Sequence, residues 1–133
     1  MRTVFADSFY FFALNNDRDS RHTHAVEFVR SYTGRMLTTV WVLMELGDGF
    51  CRPANRQSFL LTLDALRLDK NVTIVTWSDE LFDAGVKLYA DRPDKDWSLT
   101  DCISFVVMQR NGLTEALTGD RHFEQAGFIA LLK

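Results

Sequence analysis

The feature that most limits the possible folds is a regular alternation between short apolar runs and longer amphipathic segments. Five runs are typical of strands: "TVFA" (3–6), "MLTT" (36–39), "VTIV" (72–75), "EALT" (115–118) and "FIALL" (128–132). Helical periodicity lies between them, at 24–32, 40–46, 55–68, 80–90 and 98–110, with Gly47 and Gly49 helping to end the second of these helices. This alternation predicts a three-layer α/β sandwich with a mostly parallel central sheet of four to five strands.

The length and composition predict one domain over residues 1–133. No linker, repeat or shift of composition divides the 133 residues. No apolar stretch reaches the roughly 18 residues of a membrane span, and the N-terminal segment lacks the pattern of a secretory signal. Two cysteines are too few for a disulfide framework, so we expect a reduced, cytoplasmic protein without a membrane partner. The net charge of −3 gives no support to nucleic-acid binding and counts mildly against it.

Four acidic residues interrupt or border apolar segments. Asp7 follows the first strand, and Glu45 stands alone within "VWVLMEL". Asp101 lies in the first turn of the 98–110 helix, and Asp120 follows "EALT" in "TGD". In a parallel α/β sheet, the carboxyl ends of the strands and the first turns of the following helices share one edge, where ligands bind. We therefore expect these four carboxylates to converge.

Each acid also has a local explanation, and these alternatives stay open at this point. Asp7 and Ser8 could cap a helix in "FYFFAL", and Asp120 could belong to an ordinary turn. Glu45 could form a buried ion pair with an arginine. Ser98 and Asp101 fit a capping box, and an Asp101 folded back onto the Ser98 backbone would leave the site one carboxylate short.

Convergence would be costly without a cation. Two unit charges about 5 Å apart repel by about 3 kcal/mol at an effective dielectric constant of 20. Several such pairs would rival the whole stability of a domain, which is roughly 5–15 kcal/mol. A bound divalent cation would offset this repulsion, and a set of carboxylate oxygens suits Mg²⁺ or Mn²⁺ better than zinc. We expect one or two such ions.

The segments that carry these acids resemble a known family. "FADSFYFFAL", "TTVWVLMEL", "DWSLTDCISFVVM" and "ALTGDRHFEQAGF" together resemble a PIN domain, and most closely the VapC-type toxin ribonucleases of toxin–antitoxin systems. The resemblance spans essentially the whole chain. It implies a Mg²⁺- or Mn²⁺-dependent endoribonuclease, an RNA substrate, a cognate antitoxin of a type II pair and a homodimer.

The resemblance also assigns roles to residues. It implies that Asp7, Glu45, Asp101 and Asp120 are the catalytic, metal-holding acids, some acting through bound water. Since Mg²⁺ uses few direct carboxylates, we expect Asp7 and Asp101 to be the direct ligands.

Three neighbouring residues receive weaker roles. Ser8 and Thr100, each beside an expected ligand, are candidates to orient a carboxylate or contact phosphate, and helix capping is an equal alternative for both. His122, in a run that resembles the "D-x-H-F" of the family, is expected to be structural.

Two other functions compete with this one. The first is a catalytically silent PIN-like module that binds RNA or protein, and the presence of all four acids argues against it. The second is a receiver-type or phosphatase-type domain. Such domains need a further acid close to Asp7, and Phe9 occupies the position two residues on. No glycine-rich phosphate loop is present, so nucleotide triphosphatase chemistry is unsupported.

Overall fold

A five-stranded sheet forms the centre of the computed structural model, which describes residues 1–133. The strands are β1 (Thr3–Ala6), β2 (Arg35–Thr39), β3 (Val72–Val75), β4 (Glu115–Leu117) and β5 (Ile129–Ala130). Their order is β3-β2-β1-β4-β5, and every neighbouring pair is parallel. The prediction of a parallel α/β sheet is therefore confirmed, with five strands.

Seven helices connect the strands. They are α1 (Ser8–Asn15), α2 (His22–Ser31), α3 (Val40–Gly49), α4 (Arg56–Leu68), α5 (Asp79–Asp91), α6 (Leu99–Arg110) and α7 (Arg121–Gln125). None of them is long and apolar enough to span a membrane. The connections β1–β2 and β2–β3 advance in one direction along the sheet, and β3–β4 returns past both. Because parallel crossovers are right-handed, α1 to α4 cover one face, and α5 and α6 cover the other.

The predicted boundaries were wrong at α3. Gly47 and Gly49 were expected to help end this helix near residue 46, but it continues through both glycines. A Cβ atom on Gly47 would lie 3.3 Å from the ring of Phe59 on α4. The glycine at position 47 therefore permits close approach of α3 and α4. The short helix α7 was also missed, because five residues carry too little periodicity to be recognised.

The position of the functional edge follows from the strand order. The chain leaves β1 toward β2 on one side, and β4 pairs with β1 on the other, with Ala6 opposite Leu117. The gap between β1 and β4 is thus the switch point of the sheet, where α/β proteins bind ligands beyond the carboxyl ends of the strands. Asp7 follows β1 at this point, and Thr118 follows β4.

Aromatic packing fixes the elements around the switch point. Phe105 on α6 meets Phe123 on α7 edge to face, with ring centroids 4.9 Å apart, and Phe123 also contacts Phe5 on β1 at 6.2 Å. All three rings are essentially inaccessible to solvent. Such close-packed aromatic contacts hold β1, α6 and α7 in a fixed relation.

Candidate metal centre

Asp7 is buried at the switch point and does not cap α1. It occupies the N-cap position, but its side chain makes no cap hydrogen bond, so helix capping does not explain this carboxylate. Instead, Thr118 Oγ1 donates a 2.9 Å hydrogen bond to Asp7 Oδ2. Burial raises the pKa of Asp7 to about 7, against the opposing hydrogen bond from Thr118 and with further upward contributions from the charges of Asp101 and Glu45. Three of the four predicted acids thus act on one another.

Glu45 reaches the same region from α3. It is half-buried, and the hydroxyl of Ser8 donates a hydrogen bond to its Oε1 atom. No arginine or lysine pairs with this carboxylate, so the expected alternative of a buried ion pair is wrong. Ser8 was expected either to orient a carboxylate or to cap a helix. Its side chain donates to the Glu45 carboxylate and caps no helix.

Asp101 caps α6 and lies at the site at the same time. The capping box is complete: Ser98 Oγ accepts from the backbone N–H of Asp101, and the backbone N–H of Ser98 donates to Asp101 Oδ2 at 3.1 Å. The alternative in which Asp101 folds back onto the Ser98 backbone is therefore observed, and this contact uses one of the two carboxylate oxygens. Burial raises the pKa of Asp101, while the Ser98 N–H and His122 oppose that shift.

Asp120 begins α7. Its Oδ1 atom accepts a 2.9 Å hydrogen bond from the backbone N–H of His122, so a local turn or cap role is present. The ring of His122 lies between two acids, with Nδ1 3.0 Å from Asp101 Oδ2 and 3.4 Å from Asp120 Oδ1. One ligand atom from each of these three residues lies within 4.8 Å of the others.

The four carboxylates share one arrangement. A nearby group donates to one oxygen: Thr118 to Asp7, Ser8 to Glu45, Ser98 and His122 to Asp101, and the His122 N–H to Asp120. No protein hydrogen bond reaches Glu45 Oε2, Asp101 Oδ1 or Asp120 Oδ2. Side chains held through one oxygen with the other left free are suited to bind a cation without rearrangement.

Sequence reasoning missed Thr118 and underrated His122. Thr118 is fully buried and follows β4 directly, so its position after a strand at the switch point was a usable signal. Its partner Asp7 is 111 residues away, which no local pattern reveals. Thr100 was expected near the site, but its side chain makes no hydrogen bond to any of the four acids.

The chemistry of the donor set fits a divalent cation. Carboxylate oxygens match the preferences of Mg²⁺ and Mn²⁺, and the ring nitrogen Nδ1 of His122 contacts a carboxylate. No thiolate competes, because burial raises the pKa of the neighbouring Cys102 to about 11. Without a metal ion, the buried carboxylates of the site repel one another when they are ionised. A bound cation would offset this repulsion.

The fold and these acids define a class: parallel α/β domains with an acidic ligand site at the switch point of the sheet. A sequence profile of the PIN domain matches residues 4–129, and the chain belongs to the PIN domain family. The predicted resemblance to this family is therefore confirmed.

Individual relatives agree with this assignment. The 23S rRNA-specific endonuclease VapC20 of Mycobacterium tuberculosis (strain CDC 1551 / Oshkosh) is 26% identical over 126 residues, or 95% of each chain. The crystal structure of M. tuberculosis VapC20, described as a sarcin-ricin loop cleaving toxin, superimposes with a TM-score of 0.86 at 25% identity over 95% of this chain and 96% of that one. VapBC2 from Rickettsia felis, bound to a promoter DNA fragment, shares the fold alone, with a TM-score of 0.67 at 12% identity over 97% of each chain.

Proposed function

We propose that residues 1–133 form a single nuclease domain that hydrolyses phosphodiester bonds within RNA, as the toxin of a type II toxin–antitoxin pair. The observation that carries this proposal is the set of four carboxylates at the switch point, held by neighbouring donors so that free oxygens remain. Membership of the PIN domain family and similarity to an endonuclease named for 23S rRNA support RNA as the substrate class.

The proposed cofactor is Mg²⁺ or Mn²⁺, as one or two ions held by Asp7, Glu45, Asp101 and Asp120. Asp7 and Asp101 are the proposed direct ligands, since they are the two most buried of the four. When bound, such an ion supplies activation of a water molecule and charge stabilisation at the scissile phosphate.

The surrounding residues prepare this site. Thr118 holds Asp7 from β4, and Ser8 holds Glu45 from the first turn of α1. Because the pKa of metal-free Asp7 is about 7, this carboxyl is only partly ionised at neutral pH. Binding of a cation therefore displaces a proton from Asp7, and we expect affinity for the metal to rise with pH.

A catalytically silent PIN-like binding module is the less favoured function. A module that only bound RNA or protein would have no use for acids whose charges act on one another, two of them with raised pKa values. The energetic cost of that arrangement is explained by a cation and by chemistry that needs one.

The test is cleavage of a panel of structured and unstructured RNAs by the purified chain with Mg²⁺ or Mn²⁺, and then with chelator. We expect metal-dependent cleavage that falls at least about 100-fold in Asp7→Ala and Asp101→Ala, because both remove a proposed ligand. Asp64→Ala, at an exposed position on α4, is the matched control and should cleave like the wild type. Cleavage that persists in chelator, or in both site variants, would refute the proposal.

We also propose a cognate antitoxin that covers α4. This helix has no buried residue and exposes Leu60, Leu61 and Leu68 to solvent. Beside it runs an apolar groove between α3 and α4, lined by Val40, Leu43, Met44, Phe59, Leu63 and Ile74, with Asp48 and Arg67 as its charged residues. An amphipathic helix that carries an acidic residue opposite Arg67 and a basic residue opposite Asp48 fits such a groove.

Two further parts of the proposal concern assembly and location. We propose a homodimer, which sedimentation equilibrium of the purified chain would measure directly. We also propose a cytoplasmic location, where an RNA substrate is present and the two free cysteines would stay reduced.

A further inference from the structure

We infer that His122 is a positioning residue that holds the Asp101 and Asp120 carboxylates in the geometry that binds the cation. The inference rests on the proposed metal-dependent nuclease. It concerns a side chain outside the four acids, which was expected from the sequence to be structural.

The first observation is the double contact of one ring nitrogen. His122 Nδ1 lies 3.0 Å from Asp101 Oδ2 and 3.4 Å from Asp120 Oδ1. Both neighbours are carboxylate oxygens, which accept hydrogen bonds, so Nδ1 is the ring atom that carries the donated proton. The imidazole thus places a single donor between two acids that come from different helices.

The second observation is which oxygens this donor occupies. Asp101 Oδ2 already accepts from the Ser98 N–H, so with His122 this oxygen has two donors, while Oδ1 has none. In Asp120, the His122 backbone N–H binds Oδ1, the same oxygen that faces the ring. His122 therefore restricts rotation of both carboxylates and leaves Asp101 Oδ1 and Asp120 Oδ2 free for the cation.

The third observation is the rigid support of His122. Its neighbour Phe123 is fully buried and packs against Phe105 of α6, the helix that carries Asp101 in its first turn. The imidazole is only about one-fifth exposed. Packing of the core therefore fixes the position of the His122 Nδ1 atom relative to Asp101. Donors that orient metal-binding side chains in this way typically change metal affinity 10- to 100-fold when removed.

The experiment compares His122→Asn with His122→Phe in the full chain. The Asn amide can place an N–H near the position of Nδ1, whereas Phe keeps a ring without any donor. Dissociation constants for Mn²⁺ alone are measured by electron paramagnetic resonance, without RNA. We expect His122→Phe to bind Mn²⁺ at least about 10-fold more weakly than the wild type, and His122→Asn to stay within about 3-fold. His24→Asn, at an exposed histidine on α2, is the matched control and should leave affinity unchanged.

A second measurement uses the wild-type protein without metal. Two-bond ¹H–¹⁵N spectra of the metal-free wild type should place a proton on Nδ1 of His122. An unprotonated Nδ1 would overturn the inference, as would wild-type Mn²⁺ affinity in His122→Phe. Equal loss in His122→Phe and His122→Asn would also overturn it, because it would make the imidazole itself a ligand.

These outcomes are distinct from those of the nuclease proposal. Wild-type protein that binds Mn²⁺ with the expected order of variants, yet cleaves no RNA, would leave the role of His122 intact and count against the proposed activity. Metal-dependent RNA cleavage together with unaltered Mn²⁺ binding in His122→Phe would support the proposed activity and overturn the role of His122.

Discussion

At the scale of single residues, Asp7 shows how a site can oppose the stability of the fold that contains it. Its carboxyl is buried beside two other acids, and its one side-chain donor, Thr118, does not compensate for the loss of water. An isolated carboxylate in this position would destabilise the metal-free protein. Such a cost is expected at a position that holds a cation, which is the role we propose for Asp7.

The first prediction at this scale concerns pH. In chelator, unfolded Asp7 ionises near pH 4, whereas folded Asp7 stays protonated until about pH 7. The free energy of unfolding should therefore fall as pH rises between these values, by at most about 4 kcal/mol, since each pKa unit corresponds to about 1.36 kcal/mol. Asp7→Asn should remove most of this slope and be more stable than the wild type at pH 8.

Urea denaturation in chelator from pH 4 to pH 8 measures this effect. Asp64→Asn is the control for a general change of charge, because Asp64 is exposed on α4. A part of the slope should remain in Asp7→Asn, since burial also raises the pKa of Asp101. Identical slopes in the wild type and Asp7→Asn would contradict the assignment.

At the scale of elements, the first turn of α6 has two roles: it caps the helix, and it carries one of the acids of the proposed metal site. The capping box satisfies free N–H groups of the first turn, and its acidic member is Asp101. From Asp101 to Met108 every residue is buried, so the helix that presents this carboxylate is fixed along most of its length. Capping and the metal binding that we propose therefore depend on the same side chain and use different oxygens.

The prediction at this scale separates the two roles. Ser98→Ala should lower the free energy of unfolding by about 1 kcal/mol, the usual effect of losing an N-cap hydroxyl. Ser78→Ala, at the N-cap of α5, removes the same type of hydrogen bond and should cost a similar amount. Mn²⁺ affinity should stay close to that of the wild type in both, because the Ser98 N–H and His122 still hold Asp101.

Calorimetry and Mn²⁺ titration of the two variants provide the measurement. Loss of Mn²⁺ binding in Ser98→Ala alone would mean that the hydroxyl has a role at the site beyond starting the helix.

Most helices and strands could be predicted, because hydrophobic periodicity and the composition of strands are properties of the local sequence. β1, β3 and most helices were expected within a few residues of their observed bounds. Contacts between distant segments could not be predicted in the same way. The Thr118–Asp7 hydrogen bond and the place of His122 between two acids depend on how β1, β4 and α7 meet, and the short α7 gave no periodic signal.

At the scale of the whole molecule, the two surfaces to which we assign functions are separate. The acids lie at the switch point between β1 and β4, whereas the exposed leucines of α4 lie on a helix that contributes no residue to the site. A partner bound over α4 and the adjacent groove could thus be removed by substitution without changing the chemistry of the site.

The prediction at this scale uses that separation. Leu61→Glu places a charge on the exposed apolar face of α4 and should weaken binding of the antitoxin at least about 10-fold, while RNA cleavage by the free chain stays unchanged. Val86→Glu is the matched control, since Val86 is an exposed apolar residue on α5. The ligand is the proposed antitoxin, sought as the product of a small adjacent reading frame and titrated by calorimetry. Equal binding by Leu61→Glu and the wild type would exclude α4 as the docking face.

The pairing of β1 with β4 has a consequence for the order of events in folding. Asp7 and its donor Thr118 are 111 residues apart in the sequence. Asp7 cannot receive this hydrogen bond until β4 has paired with β1, and parallel pairing across so long a separation is an intrinsically slow step. A folding intermediate in which β4 has not yet joined the sheet therefore holds Asp7 without its donor, and the acids come together only when the sheet is complete.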